Sequence, residues 1–454
     1  MGGGIIQLVA NGGQDIYLTG NPQITFFKKV VKRHTNFAIE RFQQYPKGTI
    51  DWGNKLTFDI ERKADLLGKC YLDFVLEFYH DENNKLTFDQ IRQHLISNKQ
   101  NNAISKSLGY SFIDTIDIEI GGCTIDEQTG HWMAIKSELK KNFNQRMEDV
   151  FITGGFYQAS YISPNAIYIS IPLQFWFNEN PGLYLPLVAL QYHDVKINVK
   201  LNPINKILLN KNNTGSPDSN NPTIFNIQII EFDLFCDYIY LDTIERKKFA
   251  QKSHEYLIEQ VQILPGEFCN SCNQITTIPL IFNHPVKEII WTLHDKENLK
   301  ILGPLWSEQK NRINGVKLHL NGNARFMDNT PGIYFQTIQH YQHHNGINLQ
   351  KLLVELAGFI DGTVKAIYNN GNGMEIVGPS ASLDPFIYSF SMEPDNIQPS
   401  GSCNFSRLDN SVLTLDINNN IPTINNYGLD VRIYGTNYNI LRIMKGMGGL
   451  AYSN

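Results

Sequence analysis

The sequence predicts an all-β chain of two tandem β-sandwiches. Three observations carry this. Strand-like runs separated by turn clusters fill the chain, a single short helical segment lies near its middle, and parts of one half repeat in the other. The length of 454 residues accommodates two large sandwiches. Hydrophobic residues make up 42% and aromatics 11%, which supports packed cores and excludes a disordered chain. Asn outnumbers even the 34 Gly, so turns are frequent.

The elements follow in order. Residues 55–61 alternate apolar and polar side chains, the period of a half-buried strand, and residues 71–78 form a more continuous apolar run. Ile113–Ile120 places Ile116, Ile118 and Ile120 on one face and ends in Gly121-Gly122, a turn. Similar runs recur at 166–177, 185–201, 227–241, 254–264, 275–293, 313–320, 386–392, 411–417 and 429–444. Only two stretches read as helix. From His131 to Val150, Trp132, Ile135, Leu139, Phe143 and Met147 share one stripe, which predicts one amphipathic helix over a sheet. Thr243–Gln251 is short and basic, and Asp242 with Glu245 resembles a capping box. This segment is the expected connector between the sandwiches, with Asp242, Glu245, Arg246 and Phe249 as its candidate residues.

The repeat has two parts. Residues 116–126 and 316–326 each end a strand in a tight Gly-containing turn, followed by an acid and a Gly: Asp126 and Gly130, Asp328 and Gly332. Residues 193–200 and 429–434 form a second parallel. Together with the central connector these predict one sandwich duplicated. The long polar segments 80–107, 205–224 and 361–385 are expected loops on an outward-facing or partner-facing surface.

The chemistry expected of an enzyme is sparse. The net charge of −5 lacks the global basic bias of a nucleic-acid coat. The densest basic stretch runs from Lys28 to Lys47 and reads as solvated surface, or as a patch facing nucleic acid, membrane or a partner. No phosphate-loop or nucleophile-elbow motif occurs. Gly446–Ala451 fits a dinucleotide fingerprint, but too little chain follows for the helix that fingerprint needs. Cys269 and Cys272 form one C-x-x-C, with only His254 and His284 as conceivable further ligands, so no metal is expected. His340, His343 and His344 read as a turn or surface cluster. No cofactor is expected. The six cysteines are expected as reduced thiols, since no targeting or membrane-spanning segment is evident.

Four blocks, in order along the chain, carry a family resemblance. They are Gly4–Phe27 (GIIQLVANGGQDIYLTGNPQITFF) with Arg33–Glu40, Asp237–Gln251 with Ser253–Gln260, Pro399–Asn410, and Asn437–Asn454. Together they resemble the major capsid proteins of nucleocytoplasmic large double-stranded DNA viruses infecting algae and protists. The resemblance implies a double jelly roll, two eight-stranded sandwiches joined by a linker. It implies no catalytic, cofactor or metal site. It implies a homotrimer of pseudo-hexagonal outline that tiles an icosahedral virus shell. The partners so implied are a second and third copy, neighbouring capsomers, minor capsid and penton proteins and an inner viral membrane, with no sequence-specific nucleic-acid binding. The implied location is the virion, assembled in host cytoplasm. The expected division is an N-terminal arm over 1–25, a first jelly roll over 26–242, a linker helix over 243–252 and a second jelly roll over 253–454. Gln14, Tyr17, Phe26 and Phe27 are the arm's assembly candidates. The region 345–385 is expected as an extended loop of the second sandwich on the outer capsomer face. Two other readings stay open on sequence: a jelly-roll carbohydrate- or receptor-binding spike or penton component, and a glycosidase whose carboxylates pair across a sandwich cleft.

Overall fold

A computed structural model describes residues 34–79, 85, 108–154, 160–163, 166–207, 226–269, 275–295, 313–346, 385–417 and 429–452. Among the described residues, sixteen strands, eight in each half, make up the repeated part of the two sandwiches. The first half contributes β1 (Phe37–Gln44), β2 (Lys55–Asp59), β3 (Leu66–Tyr79), β4 (Ile113–Ile120), β5 (Cys123–Thr129), β6 (Ala166–Pro172), β7 (Val195–Leu201) and β8 (Asn226–Leu241). The second contributes β9 (His254–Cys269), β10 (Thr276–Pro279), β11 (Pro285–Asp295), β12 (Ile313–Leu320), β13 (Asn323–Ala324), β14 (Phe386–Ser389), β15 (Ser411–Ile417) and β16 (Leu429–Met444).

The pairing order is the same in both halves. One sheet runs β1-β8-β3-β6 and its companion β2-β7-β4-β5; the second half repeats this as β9-β16-β11-β14 and β10-β15-β12-β13. All these pairs are antiparallel. This is the jelly roll, present twice. Short strands at Ser160–Ser163, Leu185–Pro186, Cys403–Asn404 and Met447–Leu450 extend the β1- and β9-containing sheets.

The duplication extends to single residues. Gly121-Gly122 and Asn321-Gly322, all with positive φ, close equivalent two-residue hairpins between β4 and β5 and between β12 and β13. Gly130 and Gly332 then open the helical segments. A Cβ on Gly130 would lie 2.0 Å from the Tyr110 carbonyl oxygen, and one on Gly332 would lie 2.6 Å from that of Ile313. The second sequence parallel does not hold: residues 193–200 belong to the seventh strand of their half, whereas 429–434 open the eighth. Both are interior strands of their sheets, but they occupy different places in the order, so the short likeness in sequence carried no register.

Register places the connections at two ends. Asn226 pairs with Tyr79, and Ala166 with Glu77, so the β7–β8, β3–β4 and β5–β6 connections leave one end of the first sandwich. Leu429 pairs with Cys269 and with Asp295, which gives the second sandwich the same arrangement. The opposite ends carry mostly short connections, such as 121–122 and 321–322, with one longer connection each, 173–194 and 390–410. The two short-connection ends lie side by side, because the Tyr192 N–H donates to the Gly446 carbonyl at 2.9 Å. At the other end, the Gly346 N–H donates to the Leu139 carbonyl at 2.7 Å.

The cores explain the strand patterns. β4 alternates because Ile116, Ile118 and Ile120 enter the first core while its charged residues face out. β11 is apolar in succession because both faces are covered: Ile289 and Trp291 enter the second sandwich's core, while Ile290 joins the core shared with the first. The predicted single helix over 131–150 is two, α1 (Gly130–Lys140) and α2 (Phe143–Ile152). Lys141 is extended, and Asn142 starts α2 with a capping box shared with Gln145. Trp132, Ile135 and Leu139 are buried as expected. Several one-turn helices, such as Leu108–Phe112 and Trp176–Glu179, are too short to leave a periodic signal.

Candidate functional site: the seam and the two ends

The two sandwiches meet along edge strands β5 and β9. Adjacent edges with free N–H and C=O groups are prone to pair. Here side chains satisfy them instead. The Val261 N–H donates to Asp126 Oδ1 at 3.1 Å, Gln260 Nε2 donates to the Ile125 carbonyl, and Gln128 Nε2 donates to Asp126 Oδ2 at 2.8 Å. Burial pushes the Asp126 carboxyl up to about 6 against these hydrogen bonds.

A β-bulge between Val286 and Glu288 turns Lys287 and Glu288 toward this same seam. Lys287 Nζ lies 2.8 Å from Glu259 Oε1 and donates to the Pro394 carbonyl at 2.7 Å. Burial disfavours its charge, but Glu259 and Glu288 outweigh that and hold the ammonium above the usual lysine range. Glu288 accepts from Thr436 Oγ1 at 3.0 Å and lies 3.1 Å from His344 Nε2. His344 Nδ1 lies 3.0 Å from Asp395 Oδ1. Burial opposes both charges. The pairing nevertheless holds Glu288 at about 2 and raises His344 to about 9. A second, partly exposed knot sits beside it: Glu179 lies 2.5 Å from Lys136 and also pairs with Lys140 of α1, and the two ammonium groups hold it at about 2 against desolvation. Aromatic packing closes the seam, with Trp132 against Tyr434 at 5.3 Å and the His131 ring hydrogen-bonded to the Tyr434 hydroxyl.

These charges pair with one another, and Lys136, Lys140, Glu179, Glu259 and Asp395 also line an open cavity of about 580 Å³ beside the seam. Among the described residues no group of three or more His, Cys, Asp or Glu is arranged to hold a metal. His344 corrects the surface reading of its cluster: it is 8% exposed and ion-paired, while Tyr341 in the preceding turn is 87% exposed. Its acids come from residues 288 and 395, far apart in sequence, so spacing could not reveal the site. The Gly446 motif forms a hairpin turn, and Gly448 packs against Leu190 and Ile120 of the first sandwich.

The connector α3 (Thr243–Gln251) sits at the short-connection end. Arg246 Nε lies 2.8 Å from Asp65 Oδ1, and its Nη2 donates to Asp65 Oδ2 at 3.0 Å. Asp65, 5% exposed, also accepts from the Leu241 N–H, so it joins the last strand of the first half to the connector. Phe249 stacks on His254 at the start of β9, with ring centroids 5.2 Å apart. The capping box does not form. Asp242 has N-cap backbone geometry but makes no side-chain cap bond, and Glu245 pairs with Lys248 at 2.6 Å instead. Gln14, Tyr17, Phe26 and Phe27 lie outside the described residues, as do Lys28 to Arg33, Cys272 and most of the 345–385 segment. Of the basic stretch, Arg41 pairs with buried Asp73 at 3.1 Å and lies over the Phe235 ring, and Lys47 pairs with Asp59.

The comparisons with known proteins agree with this geometry. Residues 25–242 match a family described as major capsid protein N-terminus. Residues 245–349 and 376–449 match one described as large eukaryotic DNA virus major capsid protein. The chain belongs to this capsid protein family. It is 40% identical to the major capsid protein of Pyramimonas orientalis virus over the whole of both chains, and 32% identical to that of Paramecium bursaria Chlorella virus 1, again over the whole of both. The solved structure of VP54 from the latter virus superposes with a TM-score of 0.69 at 29% identity, covering 95% of this chain and 100% of that one. The Faustovirus major capsid protein shares the fold, with a TM-score of 0.64. The family match passes over residues 350–375, inside the segment expected as an extended loop.

Proposed function

We propose that this capsid protein assembles as a homotrimer of pseudo-hexagonal outline, and that such trimers tile an icosahedral virus shell. The observation that carries the reading is the side-by-side repetition of one jelly roll with matched ends. Two similar sandwiches per chain, three chains per capsomer, supply six similar corners. The long connections at one end of both sandwiches suit the outer face, and the short-connection end suits the base. Phe37, which pairs with Leu241 at that end, puts the exit of the N-terminal segment beside the connector. This supports an arm over 1–25 at the base, a first jelly roll over 26–242, a linker over 243–252 and a second jelly roll over 253–454. Its role is structural rather than enzymatic, in the virion, with neighbouring capsomers, minor capsid and penton proteins and an inner membrane as partners and host cytoplasm as the place of assembly.

The test is mass in solution. A species of three times the 51.9 kDa chain supports the capsomer, and a stable monomer with hydrolase activity overturns it. Deleting residues 1–25 should impair shell assembly while leaving the folded trimer intact; normal shells from the truncated protein would remove the arm from the scheme.

A further inference from the structure

Cys70 on β3 and Cys236 on β8 are direct antiparallel partners in the sheet register. Both side chains enter the first core, 1% and 0% exposed, and both are free thiols. Opposed residues on antiparallel strands have Cα atoms about 4.5–5.5 Å apart, inside the about 4.4–6.8 Å window a disulfide accepts. The two sulfurs are neighbours, since hydrogen bonding with Cys70 adds to burial in pushing the Cys236 thiol well above its usual range.

We propose that Cys70 and Cys236 are a latent cross-strand disulfide, left reduced where the chain folds among thiols and closed by a small-molecule disulfide oxidant. The step balances by exchange. The Cys70 thiolate attacks one sulfur of the oxidant, forming a mixed disulfide and releasing one thiol. The Cys236 thiolate then attacks the Cys70 sulfur and releases the second. The protein loses two electrons and two protons, and the oxidant becomes two thiols. Burial decides when this happens: exchange needs β8 to be off β3, either before the sheet closes or during partial opening. Once closed, the bond ties the last strand of the first sandwich to its third and is shielded from reductants by the same burial. The closed sheet needs no shift of register to hold it, because the cysteines already lie opposite each other.

Full-length protein is unfolded in urea, refolded with oxidised glutathione, alkylated and mapped by peptide mass spectrometry. The expected product is a linked peptide pair containing Cys70 and Cys236, with exposed Cys123 recovered in alkylated form. The oxidised protein should need more denaturant to unfold than its own reduced form, and C70A/C236A should show no such difference. If oxidised refolding fails, the same map is made on folded protein held with oxidant in sub-denaturing urea. Recovery of Cys70 and Cys236 as separately alkylated thiols from folded, oxidant-treated protein overturns the proposal. So does linkage of either one to Cys123 or Cys403 in preference to its cross-strand partner.

Discussion

His344→Gln tests whether the seam is held by charge. The substitution keeps a polar side chain of similar length but leaves Glu288 and Asp395 buried without their cation. The folded value of about 9 for His344 lies above its ordinary 6.5, so its contribution is fully present below about 6.5 and is lost as pH rises through 9. The step between those values corresponds to about 3 kcal/mol at 1.36 kcal/mol per pH unit. That agrees with the roughly 3–5 kcal/mol lost when one partner of a buried ion pair is removed. Glu288 is held low by the same contact, so its shift is not added. For a unit of one sandwich's size, this is a fall in Tm of roughly 6–12 °C. Calorimetry of wild type and variant at pH 6 and pH 9.5 measures it. The gap between them should be widest at pH 6 and nearly closed at pH 9.5, where most of the wild-type imidazole is itself neutral. A gap that stays constant across that range, or is under about 0.5 kcal/mol at pH 6, would refute the reasoning.

Other perturbations address the connector and the repeated hairpins. Asp65→Ala removes the acceptor of both Arg246 and the Leu241 N–H, so it should cost about 2 kcal/mol and speed limited proteolysis within 243–252, read by fragment mass. Gly130→Ala and Gly332→Ala each force a Cβ onto a carbonyl oxygen, so both should lower soluble yield sharply; Gly122→Ala, which meets no neighbour and carries only backbone strain, should cost less in the same expression assay.

The sequence showed what periodicity and turn chemistry encode, and missed what sheet register creates. Ile116, Ile118 and Ile120 announced their strand because one face is buried and the other wet. Gly121-Gly122 and Asn321-Gly322 announced equivalent hairpins because so few residues accept positive φ at both turn positions. The stripe from Trp132 to Leu139 was legible, but its termination was not, since Asn142 reads as an ordinary helix-surface residue until its cap is seen. The connector was found and its capping misassigned: Asp242 and Glu245 have the spacing of a capping box, but Lys248 offers Glu245 an ion pair within the same helix. His344 reads with its neighbours as surface because the acids that bury it come from within β11 and from the turn beyond β14. Cys70 and Cys236, 166 positions apart, carry no local signal at all.

The seam's chemistry also bears on how the two sandwiches meet, where Ile258, Ile290, Leu441 and Ile443 of the second pack into the core of the first. An interface between copies of one fold invites the wrong pairing, edge on edge, at any register. Apolar contacts alone would tolerate such slips. Asp126 accepting the Val261 N–H and the Lys287–Glu259 and Glu288–His344 pairs do not, because each slip would strand a buried charge. On this argument the charges contribute less to net stability than to geometry. Replacing Glu288, His344 and Asp395 together with Leu, Leu and Asn should therefore cost less stability than H344Q alone, yet broaden the relative orientation of the sandwiches. Small-angle scattering of the variant would show that broadening; an unchanged profile together with a larger loss of stability would mean the pairs serve strength instead.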